Sequence, residues 1–187
     1  MTLTWTLYLL SRAPEWEARV LEEIRQVVPS GPVTGEHIDR LVTVQQVLKE
    51  AMRLYPPLPV MTRYAAKDTE LASKHIRAGT LIGLPIYVIH RHRKLWDDPD
   101  QFDPSRFTPE REARYSRYQF MPFGAGPRIC IGAAFALIEA TAMLATLVRA
   151  ARFETPPAQD PIPVWRVVLL PKDGMPLQVT IRDRVGH

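Results

Sequence analysis

Cysteine is nearly absent from this chain: 187 residues contain one, Cys130. A disulfide framework is therefore excluded, and a reducing compartment fits. Cys-x-x-Cys pairs are missing too, and one sulfur cannot complete a four-ligand zinc site. His90 and His92 stand two apart, a spacing that suits neither a helix-borne metal pair nor a known ligand pattern, so both read as surface or hydrogen-bonded histidines. The basic residues give a net charge of +4 but are scattered, without a stripe of interleaved aromatics, which excludes a nucleic-acid surface. Met1 to Leu10 is apolar yet lacks a basic front region and a small-residue cleavage site, so it is not a signal peptide. There is no internal repeat and no low-complexity tract. Glycine is scarce at 9, whereas proline reaches 18, marking many chain reversals.

Three of those few glycines crowd around the one cysteine, in Phe123-Gly124-Ala125-Gly126-Pro127-Arg128-Ile129-Cys130-Ile131-Gly132. Such a segment cannot be ordinary helix or strand. It reads as a tight loop whose backbone comes close to something flat or bulky. A long apolar helix comes almost at once after it, and the unpaired N–H groups of a helix start favour a thiolate over a thiol. One thiolate is enough to hold a haem iron axially, so haem is the metal centre these residues favour.

The elements around that loop can be placed in order. Residues 2 to 12 are apolar nearly all round and predict the end of a buried helix with no cap before it. Pro14 opens a second helix at its first position, with Glu15 and Glu17 in the first turn, running to about Val28. A third is expected from near Thr34 to Leu54, where Pro56 and Pro57 stop it. Glu50 and Arg53 share one face of its last turns. From Leu58 to Ile89 three β-rich runs, Pro59 to Tyr64, Glu70 to Ala72 and Thr80 to Ile89, predict a small mixed sheet, with Pro85 demoting or ending the third. Thr108 to Gln119 is polar and reads as solvated. Gly132 to Val148 holds one charge, Glu139, and reads as a helix in a protein core rather than a membrane span. Val164 to Leu170 and Leu177 to Ile181, joined by Pro171-Lys172-Asp173-Gly174, predict a hairpin with a type I turn.

The spacing F-x-x-G-x-R-x-C-x-G, filled by Phe123, Gly126, Arg128, Cys130 and Gly132, resembles the haem-binding signature of the cytochrome P-450 superfamily of haem-thiolate monooxygenases. Glu50 and Arg53, directly before Leu54-Tyr55-Pro56-Pro57, are similar to the family's E-x-x-R motif. Pro104-Ser105-Arg106-Phe107 is similar to its P-E-R-F element, with Ser where Glu is common.

The resemblance implies a mainly α fold with small β-sheets, the C-terminal half of that family's domain. Residues 1–57 would hold the end of the distal helix and the E-x-x-R helices, 58–107 the β-rich region and P-S-R-F element, 108–132 the meander and haem-thiolate loop, and 133–187 the buried helix and hairpin. Haem b (iron protoporphyrin IX) is the implied cofactor. Cys130 would be the axial ligand, Phe123 its shield, Gly132 the space for approaching N–H groups, and Arg128 and Arg63 propionate partners. Glu50, Arg53 and Arg106 would form a buried structural set. The implied activity is dioxygen-dependent oxidation of a hydrophobic small molecule, consistent with the apolar stretches Leu58 to Thr62 and Val167 to Val168. The implied redox partner is a ferredoxin or flavoprotein reductase, which mild basicity suits. A soluble, cytoplasmic, bacterial type is expected. Leu3 to Leu10 resembles the segment after the family's distal acid-threonine pair, so no catalytic residue of that pair is expected in this chain. The sequence therefore reads as a truncated product or half of a split protein. The other reading is a non-catalytic remnant that binds haem weakly or not at all.

Overall fold

A computed structural model describes residues 1–156 and 160–182. Four helices form the main layer: α1 (Thr2–Ser11), α2 (Pro14–Val27), α3 (Val42–Leu54) and, much later in the chain, an 18-residue helix over Ala133–Ala150. In α2 the buried positions Trp16, Val20, Ile24 and Val27 fall on one stripe, and Pro14 with Glu15 and Glu17 makes the helix start. That stripe meets Leu41, Val44, Val47 and Leu48 on one side and Leu144, Ala145 and Val148 on the other. Burying each of the valine, leucine and isoleucine side chains contributes roughly 1.5 to 3 kcal/mol. A second cluster joins Trp5, Tyr8 and Leu9 of α1 to Ala51 and Leu54 of α3.

The expected helix from Thr34 to Leu54 is broken. Gly35–Arg40 forms a 3-10 turn, whose Thr34 N–H and hydroxyl both meet His37 Nδ1 at 3.0 Å. At Leu41, which is fully buried, the backbone leaves helical space with φ −85° and ψ 61°. The cause is Glu23 of α2, whose two carboxylate oxygens accept the Thr43 and Val44 N–H groups at 2.7 and 3.1 Å. Those first N–H groups have no partner inside α3, so an acid from the neighbouring helix caps it.

Next come strands β1 (Met61–Tyr64), β2 (Thr69–Leu71), β3 (Lys74–Ile76) and β4 (Leu81–Leu84). They do not make the expected mixed sheet. Instead β1 pairs antiparallel with β4, and β2 with β3, as separate ribbons. Pro85 ends β4, and Ile86–Ile89 turns into a short helix, α4. Another 3-10 turn spans Pro104–Phe107, and α5 spans Pro109–Glu112. The stretch from Thr108 to Gln119 is mostly exposed, as its composition suggests, and a few contacts anchor it. Lys49 of α3 holds Glu112 at 2.7 Å, the Tyr115 hydroxyl donates to the Arg106 carbonyl, and Gln119 donates to the Leu95 carbonyl.

The apolar helix Ala133–Ala150, α6, is not enclosed on all sides. Thr141, Leu144, Ala145 and Val148 are buried against α2 and α3, whereas Phe135, Ile138 and Met143 are 70, 50 and 46% exposed. It is the one helix among the described residues long and apolar enough to cross a membrane.

The expected C-terminal hairpin is also corrected. The turn at Pro171 to Gly174 exists, with Gly174 at φ 84°, but its flanking strands have other partners. β7 (Leu169–Pro171) pairs with β6 (Pro163–Trp165), inside the run expected to be one strand, while β8 (Gln178–Ile181) pairs with β5 (Ala151–Glu154). Arg182 secures β8 there, donating to the Val148 carbonyl at 2.9 Å and pairing with Glu17 of α2.

Candidate functional site

Two constellations stand out, a buried ionic cluster built on α3 and the cysteine loop at the head of α6. Glu50 and Arg53 are 0% exposed, and Arg106 is 3% exposed. Three residues apart on α3, Glu50 and Arg53 meet in a bidentate pair, Nε to Oε2 at 2.7 Å and Nη2 to Oε1 at 2.8 Å. The remaining Arg53 N–H groups reach the carbonyls of His90, Pro99 and Gln101 at 2.8, 2.7 and 3.1 Å. All of the guanidinium's donors are thus used. The Trp96 ring lies 5.0 Å from Arg53 Cζ and completes its enclosure. Glu50 also accepts the Asp103 N–H at 2.9 Å.

Arg106 Nε is 3.4 Å from Glu50 Oε1 but makes no hydrogen bond there, so its contribution to Glu50 is charge alone. Its Nη2 donates to the Asp98 carbonyl. Burial pushes the Glu50 carboxyl up, while Arg53, the Asp103 N–H and Arg106 pull it down. Ser105 is held by its neighbours: Asp103 accepts its N–H at 3.0 Å, and Arg111 bridges Asp103 and the Ser105 hydroxyl. Burial raises the Asp103 carboxyl, but these bonds outweigh it and lower the pKa.

The cysteine loop is shaped by backbone conformation. Gly124 and Gly126 have φ 79° and 73°, in the left-handed region where a side chain is strained. A Cβ on Gly124 would also sit 3.0 Å from Met61 Sδ of β1. Pro127 opens the 3-10 turn Gly126–Arg128, and the Cys130 N–H donates to the Phe123 carbonyl at 2.9 Å. The Cys130 thiol is exposed, beside exposed Ile129 and Ile131, and α6 begins at Ala133 with Phe135 projecting. Gly132 is not required by the protein's own packing, since a Cβ there would meet Cys130 Sγ at 3.9 Å, an ordinary contact.

Arg63 and Gly126 line one apolar cavity of about 380 Å³, with Met61, Leu84, Ile89 and Tyr118. Arg63 donates to the Thr62 carbonyl, and the Arg128 side chain has no hydrogen bond or ion pair among the described residues. Phe123 is half-buried. Leu58 and Val167 are exposed. The donor set fits a flat iron porphyrin: an exposed thiol, apolar surface around it, and guanidinium groups with hydrogen bonds to spare. Among the described residues no three His, Cys, Asp or Glu side chains form another metal site.

His90 has a larger part than its sequence context indicates. It is 0% exposed, with its carbonyl on Arg53 and its Nε2 accepting the Met121 N–H at 2.8 Å. Its distance from the loop in sequence hides this; the only local signal is an apolar run on its N-terminal side. Burial first, then the Arg53 charge, pushes the His90 pKa down to about 4. A folded pKa below the ordinary 6.5 means the unfolded chain binds the proton more readily. Stability should therefore be full above pH 6.5 and decline as pH falls to about 4, by roughly 3 kcal/mol in all. Urea midpoints measured across that window, against His90→Gln, check this: the variant should lose most of the slope.

A family model described as cytochrome P450 matches residues 1–179. The chain is 40% identical over 174 residues to 11-oxo-beta-amyrin 30-oxidase of Medicago truncatula, covering 92% of this chain and 33% of that protein. It is 38% identical over 181 residues to pentalenene oxygenase of Streptomyces avermitilis, covering 97% and 40%. The crystal structure of the cytochrome P450DA heme domain superimposes with a TM-score of 0.90 at 32% identity, covering 97% of this chain and 40% of that one. The chain thus spans a third to two fifths of the length of these relatives.

Proposed function

This chain belongs to the cytochrome P450 family, and from that premise we propose that it forms the haem-thiolate side of a monooxygenase. Cys130 would hold the iron of a haem b through its thiolate, and Arg63 and Arg128 would pair with the propionates. The observation that carries this reading is the exposed Cys130 thiol, presented by a loop with two left-handed glycines at the head of an apolar helix. Bound there, haem supplies dioxygen activation, which a thiolate ligand promotes by donating electron density to iron.

The chain's own residues keep the sulfur in place. Phe123 is half-buried, and its carbonyl accepts the Cys130 N–H and fixes the backbone there. Ile129, Ile131 and Phe135 offer apolar surface to the macrocycle. Arg63 and Arg128 give planar donors suited to carboxylates. Glu50, Arg53 and Arg106 hold α3 to the segment that leads into the loop. The substrate class is a hydrophobic organic molecule, oxidised with electrons from a ferredoxin or flavoprotein reductase, and the oxygen-facing side is supplied by a complementary segment of the family fold. α6 serves this site and the core rather than a membrane, in keeping with a cytoplasmic protein.

The test is the absorption spectrum of the purified chain with haem added, reduced under carbon monoxide. A Soret band moved far to the red, and lost in Cys130→Ala, is the expected result. A wild-type chain that takes up haem without that band, or takes up none, would leave a non-catalytic member of the family.

A further inference from the structure

We propose that His90 is a positioning residue for the cysteine loop, tying the loop's first turn to the buried Glu50–Arg53 pair through a single side chain. Its consequence for iron ligation rests on the reading of Cys130 as the ligand, but the tie itself does not. The path is short and continuous. Arg53 Nη1 donates to the His90 carbonyl at 2.8 Å, and His90 Nε2 accepts the Met121 N–H at 2.8 Å. The Met121 carbonyl accepts the Gly124 N–H at 3.0 Å, and the Phe123 carbonyl accepts the Cys130 N–H at 2.9 Å.

The His90 backbone is itself fixed, its N–H donating to Ile86 at the start of α4. Phe120, one residue before Met121, lies against the imidazole with ring centroids 5.3 Å apart, and Phe107 packs on Phe120 at 4.6 Å. Imidazole meets a specific need here. Nε2 must accept, so the ring is neutral with its proton on Nδ1, and an apolar side chain of equal size would leave the Met121 N–H without its partner. Other contacts hold the neighbourhood, Gln119 on the Leu95 carbonyl and Met61 on Gly124. Among the described residues, His90 is the one whose hydrogen bonds join the loop to the ionic pair of α3.

Glutamine places its amide oxygen near the position of Nε2, whereas methionine fills the space without a strong acceptor. Amide hydrogen exchange on the haem-free chain therefore separates acceptance from packing. In His90→Met the Met121, Gly124 and Cys130 amides should exchange about tenfold faster than in the wild type. In His90→Gln they should stay near the wild-type rates, and the amides of α2 should be unchanged in both. If His90→Met does not fold, His90→Asn replaces it, because its amide is one methylene too short to reach Met121 and the loop should be as fast as without an acceptor. With haem added, the red-shifted carbon monoxide band should weaken in His90→Met or His90→Asn and return in His90→Gln. Equal loop exchange in the glutamine variant and either of the others, or acceleration spread evenly over α2 and α6, would overturn the proposal. Absence of the band in the wild type would sink the haem reading instead, and the exchange pattern would still judge the tie.

Discussion

Arg53→Ala is expected to destabilise the chain by roughly 3 to 5 kcal/mol, because it leaves an uncompensated carboxylate in the interior. Glu50 is wholly enclosed and would keep only the Asp103 N–H and the Arg106 charge. The carbonyls of His90, Pro99 and Gln101 would lose their donor at the same time. In a domain of this size that corresponds to a melting temperature lower by roughly 6 to 20 °C. Arg53→Lys should recover little, since an ammonium cannot serve a bidentate carboxylate and three carbonyls in different directions. The double change Glu50→Met with Arg53→Met should cost less than the sum of the single changes by at least about 1 kcal/mol, because both charges leave together. Urea denaturation of the wild type, the two single methionine variants and the double variant checks this, and strictly additive losses would show that the two side chains do not act as a pair.

Trp5→Ala should cost about 3 to 5 kcal/mol, the range for removing a buried aromatic side chain. Trp5 is 1% exposed and stacks on Tyr55, the residue that ends α3, with ring centroids 3.9 Å apart and planes within 4°. The stack continues outward, with Arg91 5.4 Å from the Tyr55 ring and 4.1 Å from that of Tyr87 on α4. Trp5 Nε1 also donates to the Leu169 carbonyl of β7 at 3.2 Å. Trp5→Phe should keep most of the packing and lose that bond, about 1 kcal/mol. A thermal melt in which the phenylalanine and alanine variants fall equally would show that the hydrogen bond, not the stack, dominates.

Several features are legible because their causes are local. Pro14 with two acids in the next turn locates the start of α2, and the glycines and proline between Phe123 and Gly132 announce a loop that no regular element could be. The spacing of Glu50 and Arg53 places them on one face. What local pattern cannot carry is the partner. Glu23 and Val44 are far apart in sequence, so the cap that restarts α3 after Leu41 leaves no mark near Thr34. Pro171 to Gly174 is a turn, as its residues indicate, yet β8 finds β5 because Arg182 is held by Glu17 and the end of α6, which turn chemistry cannot register. Period-two runs mark strands between Leu58 and Ile89 but not which will pair, so two ribbons look like one sheet. His90 is hidden for the same reason, its importance lying in Met121, a residue in another segment.

The bonds from Trp5 to Leu169 and from Arg182 to Glu17 also set an order of events during synthesis. α1 and α2 emerge from the ribosome well before β7 and the end of β8, whose contacts complete them. At usual rates of translation they wait on the order of ten seconds for those strands. During that interval the Trp5 indole N–H and the Glu17 carboxylate lack these partners, and this edge of the core stays open to chaperones or to a neighbouring nascent chain. Slow codons placed between β5 and β7 would lengthen the wait, and the yield of soluble protein would fall with no amino acid changed.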